Sequence, residues 1–109
     1  MVADEDSMFR EMLLDCLACK WSVRLMEKID TGVNRPGQLE RQIDGLSTKV
    51  MNESLQRLVD YHLLDKRVFN EKPPRAEYEL TLFGKDVLDA LLILRSLQSK
   101  YSTLLSPSP

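Results

Sequence analysis

Two sets of side chains in this chain have residue types and spacings that could support chemistry. The first is Cys16 and Cys19, a C-x-x-C pair of the kind that can be redox-active or bind a metal ion. A redox pair normally opens a helix after a strand, whereas these cysteines are predicted within a helix. Zinc needs four ligands, and His62 is the single histidine of the chain. Structural packing is therefore the first interpretation, redox sensing the second and metal binding the last.

The second set is polar and recurs at helical spacing between residues 47 and 57. It lies opposite an apolar stripe formed by Met51, Leu55, Leu58 and Val59. Lysine, asparagine and glutamine can donate to guanine or bridge adenine in the major groove of DNA. The residues predicted to face bases are Lys49, Asn52, Glu53 and Gln56, with Ser47 and Thr48 at the helix start and Arg57 further along. The residues of this helix alone are equally consistent with an ordinary solvent-exposed face that contacts no DNA.

The helices that would position this second set are predicted to form a helix-turn-helix. A first helix over residues 8–29 is indicated by apolar residues on one face, namely Leu14, Leu17, Trp21, Leu25 and Ile29. Pro36 opens a short helix over residues 36–43. A turn over residues 44–47 leads to Ser47, the predicted N-cap of a helix that ends near residue 61. Two helices joined in this way fit a DNA-binding helix-turn-helix.

A basic hairpin is predicted to follow. Residues 63–69 and 75–80 are indicated as strands, and residues 70–74, including Pro74, as the turn between them. The hairpin carries Lys66, Arg67, Lys72 and Arg75. Such a hairpin beside a recognition helix suits contacts with the DNA backbone or minor groove, and Arg35 is predicted to contact phosphate as well. Lysine and proline also protect exposed strand edges, so a solubilising edge is the alternative.

The last helix is predicted to begin at the N-cap Thr81 and to run to about residue 104. Its apolar residues cover more than one face, so part of it needs a partner outside the domain. A second copy is the simplest partner, because symmetric dimers are the commonest oligomers. The residues predicted at the dimer interface are Leu14, Val87, Leu91 and Leu94. We expect one domain over residues 1–105 and a disordered tail over residues 106–109.

Charge is distributed unevenly along the chain. The net charge is −2, but residues 1–15 carry five acidic side chains against one basic one, a net of −4. Residues 34–75 carry eight basic and six acidic side chains, a net of +2. Local charge decides DNA binding, because screening limits its range to about 8–10 Å in physiological salt. We expect modest nonspecific affinity for DNA.

The sequence gives no indication of an enzyme. His62 has no Ser or Cys partner arrangement, and a glycine-rich phosphate loop is absent. No apolar run approaches the ~20 residues that span a bilayer, and the acidic N-terminus lacks the regions of a signal peptide. We therefore expect a cytoplasmic protein with reduced cysteines, and no catalytic residue, metal or cofactor.

Four segments, in order, resemble the HxlR-type winged-helix transcriptional regulators of bacteria and archaea. Lys20-Trp21 is similar to the family's K-W in the first helix, and Gly32, Arg35 and Leu39 resemble its G-P-x-R-F-x-E-L segment. Residues 45–51 resemble its G-I-S-x-K-x-L, the turn and start of the recognition helix. Residues 73–84 match its P-P-R-x-E-Y-x-L-T-x-x-G without a mismatch.

The resemblance implies a homodimer that binds operator DNA, with the first and last helices at the dimer interface. It also implies regulation of nearby genes, in some members by a small-molecule or redox effector sensed through a cysteine near the N-terminus. This chain has Phe9 at the position of that cysteine, and Ser54 where an arginine is common in the recognition helix. His62 replaces the glycine that usually ends that helix, and a left-handed C-cap is its predicted role.

The predicted fold class is therefore mostly α with a small β-hairpin, a winged helix-turn-helix. The predicted function is a homodimeric, sequence-specific DNA-binding regulator acting on a pseudo-palindromic operator. One alternative is a winged-helix module for protein contacts, with weak or lost DNA binding. The other is a thiol-based regulator that uses Cys16 and Cys19.

Overall fold

The computed structural model describes residues 3–106, and the tail predicted to be disordered lies outside them apart from Ser106. The described chain has six helices and two strands. They are α1 (Ala3–Ala18), α2 (Ser22–Asp30), α3 (Pro36–Gln42), α4 (Thr48–Asp60), β1 (Leu64–Phe69), β2 (Arg75–Leu80), α5 (Leu82–Lys100) and α6 (Ser102–Leu105). The predicted order of helix-turn-helix, hairpin and final helix is confirmed.

The first predicted helix is divided in two, which corrects the sequence prediction. The amide of Cys19 closes the last turn of α1 on Asp15 O at 2.9 Å, and α2 begins after Trp21. The cysteines therefore lie at the end of α1 rather than in mid-helix. Because α1 and α2 do not share one continuous face, Leu14 and Leu17 are exposed while Met12 and Cys16 are buried.

The core is built where the helix-turn-helix meets α2, the hairpin and α5. Its fully buried side chains are mainly leucine and methionine, including Leu25, Met26, Leu39, Met51, Leu55, Leu58, Leu63, Leu64, Leu88 and Leu91. Leu39 of α3 and Ile43, the residue after that helix, are both buried. The apolar stripe of α4 is also confirmed, since Met51, Leu55 and Leu58 are buried and Val59 packs against the core. No helix among residues 3–106 is long and apolar enough to cross a bilayer.

Local capping explains where α4 ends and α5 begins. His62 has φ 62°, the left-handed conformation predicted for it after the recognition helix. The side chain of Thr81 accepts a hydrogen bond from the amide of Gly84 at 2.8 Å, which makes Thr81 the N-cap of α5 as predicted. The same hydroxyl donates to the carbonyl of His62 at 2.7 Å. The start of α5 is thereby fixed against the end of α4.

The hairpin is antiparallel, and its register runs from Leu64 opposite Leu80 to Phe69 opposite Arg75. The amide of Tyr78 in β2 also donates to the carbonyl of Asn34 at 2.8 Å. That bond ties the hairpin to the loop that precedes α3. The hairpin is therefore positioned as a wing beside the helix-turn-helix.

Two long-range pairs hold the outer helices. Arg95 of α5 donates to both carboxylate oxygens of Glu27 in α2, at 2.7 and 3.0 Å, and this interaction holds the pKa of Glu27 below its ordinary value. The hydroxyl of Tyr61 donates to Asp15 of α1, and this bond raises the pKa of Tyr61 to about 12. The final helix also ends earlier than predicted, because α5 stops at Lys100 and α6 begins after Tyr101.

Candidate nucleic-acid interface

The N-terminal half of α4 presents an exposed polar face. Ser47 caps the helix, because its side-chain oxygen accepts a hydrogen bond from the amide of Val50 at 3.2 Å. The side chains that the sequence predicts to face bases are exposed on this helix, namely Lys49, Asn52, Glu53 and Gln56, and Thr48 at the helix start is exposed as well. Arg57, the residue after Gln56, is only partly exposed. The cap fixes the helix start, and the exposed face can enter a groove.

Acidic side chains pair with several members of this face. Lys49 lies 4.0 Å from Glu53, and the amide nitrogen of Gln56 donates to Asp60 at 2.9 Å. Thr48 donates to Glu40 of α3. Exposed pairs of this kind contribute only about 0–1 kcal/mol. DNA can therefore displace them, but they moderate the positive charge of the helix.

Ser47→Ala is expected to lower the free energy of unfolding by about 1 kcal/mol, because the amide of Val50 loses its acceptor. Ser47→Asp keeps an acceptor and is expected to restore stability, while its negative charge weakens binding to DNA phosphates. Urea unfolding and fluorescence anisotropy with labelled duplex DNA measure the two effects. An aspartate variant as unstable as the alanine variant would show that the cap is not the source of the loss.

Two of the predicted phosphate contacts meet at one carboxylate. The Nε and Nη2 atoms of Arg35 each lie 3.3 Å from Oε2 of Glu77, and Nε of Arg75 lies 3.6 Å from the same oxygen. Arg75 also lies 3.4 Å from Glu71, and its guanidinium stacks 4.3 Å from the centre of the Phe69 ring. The structure thus brings together the arginine before α3 and the arginine that opens β2.

The tip of the wing is exposed. Lys72 and Pro74 both lie there, and the Lys72–Pro73 peptide bond is cis. Lys66 and Arg67 are exposed on β1, with the ammonium of Lys66 6.0 Å from the centre of the Tyr78 ring. All the basic hairpin residues therefore have access to a ligand, with Arg75 the most enclosed.

In the sequence, Glu77 is the glutamate of the P-P-R-x-E-Y segment, but that segment does not show that two arginines converge on it. Spacing indicates only the contact within the hairpin, because Arg75 and Glu77 are two positions apart on one strand and share a face. The pairing with Arg35 joins residues 42 positions apart and cannot be inferred from spacing.

The two cysteines have different environments. Burial, with the nearby Asp15 charge, raises the pKa of Cys16 to about 11. Burial also raises the pKa of Cys19, but hydrogen bonds with the Ser22 side chain and the Trp21 backbone outweigh it and lower the pKa. Ser54 of α4 adds a contact, with its Oγ 3.7 Å from Sγ of Cys19. Among the side chains of residues 7–106, no three or more His, Cys, Asp or Glu are grouped so that they could hold a metal ion.

The residues predicted at a dimer interface divide into two pairs. Leu14 and Leu94 are exposed, at 59% and 48%. Val87 and Leu91 are 7% and 2% exposed, because α5 turns that face into the protomer's own core. Assigning Val87 and Leu91 to an outer interface was therefore wrong. The other exposed apolar residues of α1, of the second half of α5 and of the segment after it are Met8, Phe9, Leu17, Ile93, Leu97, Tyr101, Leu104 and Leu105.

An open groove of about 590 Å³ lies between the end of α2, the hairpin and the start of α5. Charged side chains line much of it, including Asp30, Asp65, Lys66 and Lys85. Lys85 and Asp30 form an ion pair across it at 3.6 Å. A small-molecule effector remains a prediction.

The chain is similar to transcriptional regulators along most of its length. A family model described as HxlR-like helix-turn-helix matches residues 16–105. An HTH-type transcriptional regulator of Synechocystis is 33% identical over 89 residues, which cover 82% of this chain and 66% of that protein. This chain thus spans slightly less than two thirds of that relative.

Solved structures share the fold. The crystal structure of a MarR-family transcriptional regulator from Enterococcus faecalis matches with a TM-score of 0.74 and 31% identity, over 94% of this chain and 93% of that one. The reduced form of the redox regulator HypR matches with a TM-score of 0.74 and 23% identity, over 87% and 94%. At that lower identity the likeness extends to the fold alone.

Proposed function

The chain belongs to the HxlR-like helix-turn-helix family, and on this premise we propose that this transcriptional regulator binds a specific operator as a homodimer. The observation that carries the proposal is the exposed polar face of the capped helix α4, which the chain follows with an exposed basic hairpin. Lys49, Asn52, Glu53 and Gln56 would face base edges in the major groove. Ser47 and Thr48 would lie at the entry of the helix into the groove.

The wing and the loop before α3 would contact the DNA backbone. Arg35 and Arg75 both lie within 4.0 Å of Glu77 on β2, and Lys72 and Pro74 lie at the exposed tip. Phosphate contacts set register and affinity without reading sequence. A second copy, joined through the exposed apolar residues around Leu14 and Leu94, would place two recognition helices about one DNA turn apart on a pseudo-palindrome.

Selection of bound duplexes from a random library tests this function. The proposal predicts that the wild-type protein enriches an inverted-repeat sequence and that its affinity falls steeply with salt, since phosphate contacts release counterions. An enriched single half-site would contradict the dimer, and an absence of enrichment would contradict sequence-specific binding.

A protein-interaction module is the second candidate, and the paired charges of the interface favour it. Lys49, Arg35 and Arg75 each lie within 4.0 Å of a carboxylate, which lowers the positive field available to DNA. Binding to a protein partner with no salt-dependent binding to duplex DNA would support this candidate over the first.

A thiol-based regulator is the third candidate, and the environment of Cys19 favours it. Its lowered pKa increases the thiolate fraction at neutral pH, whereas Cys16 is buried. Cys19 also contacts Ser54 of the recognition helix, so that an adduct on its sulfur would disturb α4. Sensing through Cys19 would therefore use a different position from the N-terminal cysteine that Phe9 replaces in this chain.

Iodoacetamide is expected to alkylate Cys19 before Cys16 in the reduced protein at neutral pH. The alkylation rate at Cys19 should rise with pH towards its lowered pKa, whereas Cys16 becomes substantially ionised, and so reactive, only at a pH of about 11. Mass spectrometry of Cys16→Ser and Cys19→Ser separates the two sites. Fast labelling that survives in Cys19→Ser would contradict the assignment, and unchanged DNA binding after complete alkylation would rule out the regulatory role.

A further inference from the structure

We infer that Glu77 is a positioning residue for DNA binding, which holds Arg35 and Arg75 together as one phosphate-binding pair. The inference rests on the proposed function, because it assigns a role within the same interface. Glu77 would not contact DNA itself. It would act through the two guanidinium groups that share its carboxylate.

The geometry places one carboxylate oxygen between two arginines from different elements. Arg35 is the residue before α3, and Arg75 opens β2. Both approach Oε2 of Glu77, at 3.3 Å from Arg35 and 3.6 Å from Arg75. The Glu77 side chain is 23% exposed, against 45% for Arg35 and 31% for Arg75, so both arginine side chains are more accessible to a phosphate than the carboxylate is.

Other contacts hold the same cluster in place. The backbone bond from Tyr78 to Asn34 fixes the loop of Arg35 against β2, directly beside Glu77. The Phe69 ring supports the Arg75 guanidinium from the other side at 4.3 Å. Nε of Arg75 is buried and lacks a hydrogen-bond partner among the described residues, so the nearby Glu77 charge is its main compensation.

The arrangement has a consequence for phosphate binding. Two adjacent guanidinium groups repel each other and have many rotamers, and binding would have to order both. One shared carboxylate reduces the repulsion and orders the pair in advance, and Arg35, Arg75 and Glu77 together keep a net charge of +1. Glu71, which lies 3.4 Å from Arg75, is exposed, so a phosphate can displace it. Guanidinium groups suit phosphate because their planar donors can bind two oxygens at once.

The direction in which affinity for DNA changes when Glu77 is neutralised distinguishes a positioning role from a purely electrostatic one. A carboxylate near DNA repels phosphate, so its neutralisation normally strengthens binding. If Glu77 positions the arginines, its neutralisation weakens binding instead. Glu79 provides the matched control, because it lies on the same strand, is exposed, and forms no ion pair with the side chains of residues 7–106.

The experiment compares Glu77→Gln with Glu79→Gln on the duplex that the wild-type protein selects. We expect Glu77→Gln to weaken binding about tenfold and to lower the salt slope by about 1, with Glu79→Gln equal to or tighter than wild type. Tighter binding by both variants would overturn the inference. Loss of binding in Glu77→Gln with an unchanged salt slope would assign Glu77 a structural role and overturn it as well.

If Glu77→Gln is less stable than the wild-type protein, a double-mutant cycle with the two arginines still tests the inference. In the Arg35→Ala/Arg75→Ala background, Glu77→Gln should cause no further loss of affinity, because the groups it positions are absent. A full additional loss there would contradict the inference. A wild-type protein that selects no duplex would instead refute the proposed function, which keeps the two failures distinct.

Discussion

Gly84→Ala is expected to lower the free energy of unfolding by about 3 kcal/mol or more, at the upper end of the range for overpacking. A Cβ on Gly84 would overlap the carbonyl oxygen of Leu63 and lie 2.9 Å from its carbonyl carbon. These are backbone atoms, and the same carbonyl accepts a hydrogen bond from the amide of Thr81 at 3.1 Å. The start of α5 and the backbone at Leu63, just before β1, would have to separate, because neither can yield by changing a rotamer.

Urea unfolding of Gly84→Ala beside Gly37→Ala tests this expectation. Gly37 is also helical, but a Cβ there would meet only the tip of the Arg41 side chain, at 3.6 Å. We expect Gly37→Ala to be neutral or to stabilise by up to about 1 kcal/mol, because alanine restricts the unfolded chain. A mild effect at Gly84, equal to that at Gly37, would mean that α5 does not pack closely on the hairpin.

Lys49→Ala and Gln56→Ala are expected to reduce discrimination between the selected duplex and a scrambled one by about 1–3 kcal/mol each. Both side chains project from the exposed face of α4, and their partners Glu53 and Asp60 lie on the same helix. Arg75→Ala should weaken binding about equally on both duplexes, with a salt slope lower by about 1. Titrations of the two duplexes at several salt concentrations give both quantities.

Gln98→Ala is the control for Gln56→Ala, since it removes an exposed glutamine from α5 rather than from the helix proposed to read bases. Gln98 lies one turn after Leu94, so gel filtration first checks that this variant has the same oligomeric state as the wild type. It should leave discrimination unchanged. Equal losses for Lys49→Ala, Gln56→Ala and Arg75→Ala on both duplexes would refute the division between base-reading and phosphate-binding residues.

Features set by local signals could be predicted from the sequence. Ser47 and Thr81 are caps because their hydroxyls meet amides three residues ahead, and His62 ends α4 because the backbone there is left-handed. The strands of the hairpin follow from alternation and from the proline-containing turn. Each of these depends on only a few consecutive residues.

Features that depend on contacts between residues distant in the chain could not be predicted from the sequence. Neither proline nor glycine marks the break between α1 and α2, so the apolar spacing from Leu14 to Ile29 indicated one helix. Because α5 is apolar on several sides, periodicity does not indicate which side packs against the protomer's own core. The sequence therefore predicts Val87 and Leu91 at a dimer interface, whereas both are buried within the protomer. The shared carboxylate of Glu77 likewise depends on the fold bringing residue 35 to residue 77.

Sequence-specific DNA binding through α4 is tested most directly by measuring the affinity of the wild-type protein for its selected duplex and for a scrambled duplex at several salt concentrations. We expect tighter binding to the selected duplex at every salt concentration, with both affinities falling steeply as salt rises. Equal affinity for the two duplexes, or affinity independent of salt, would contradict it.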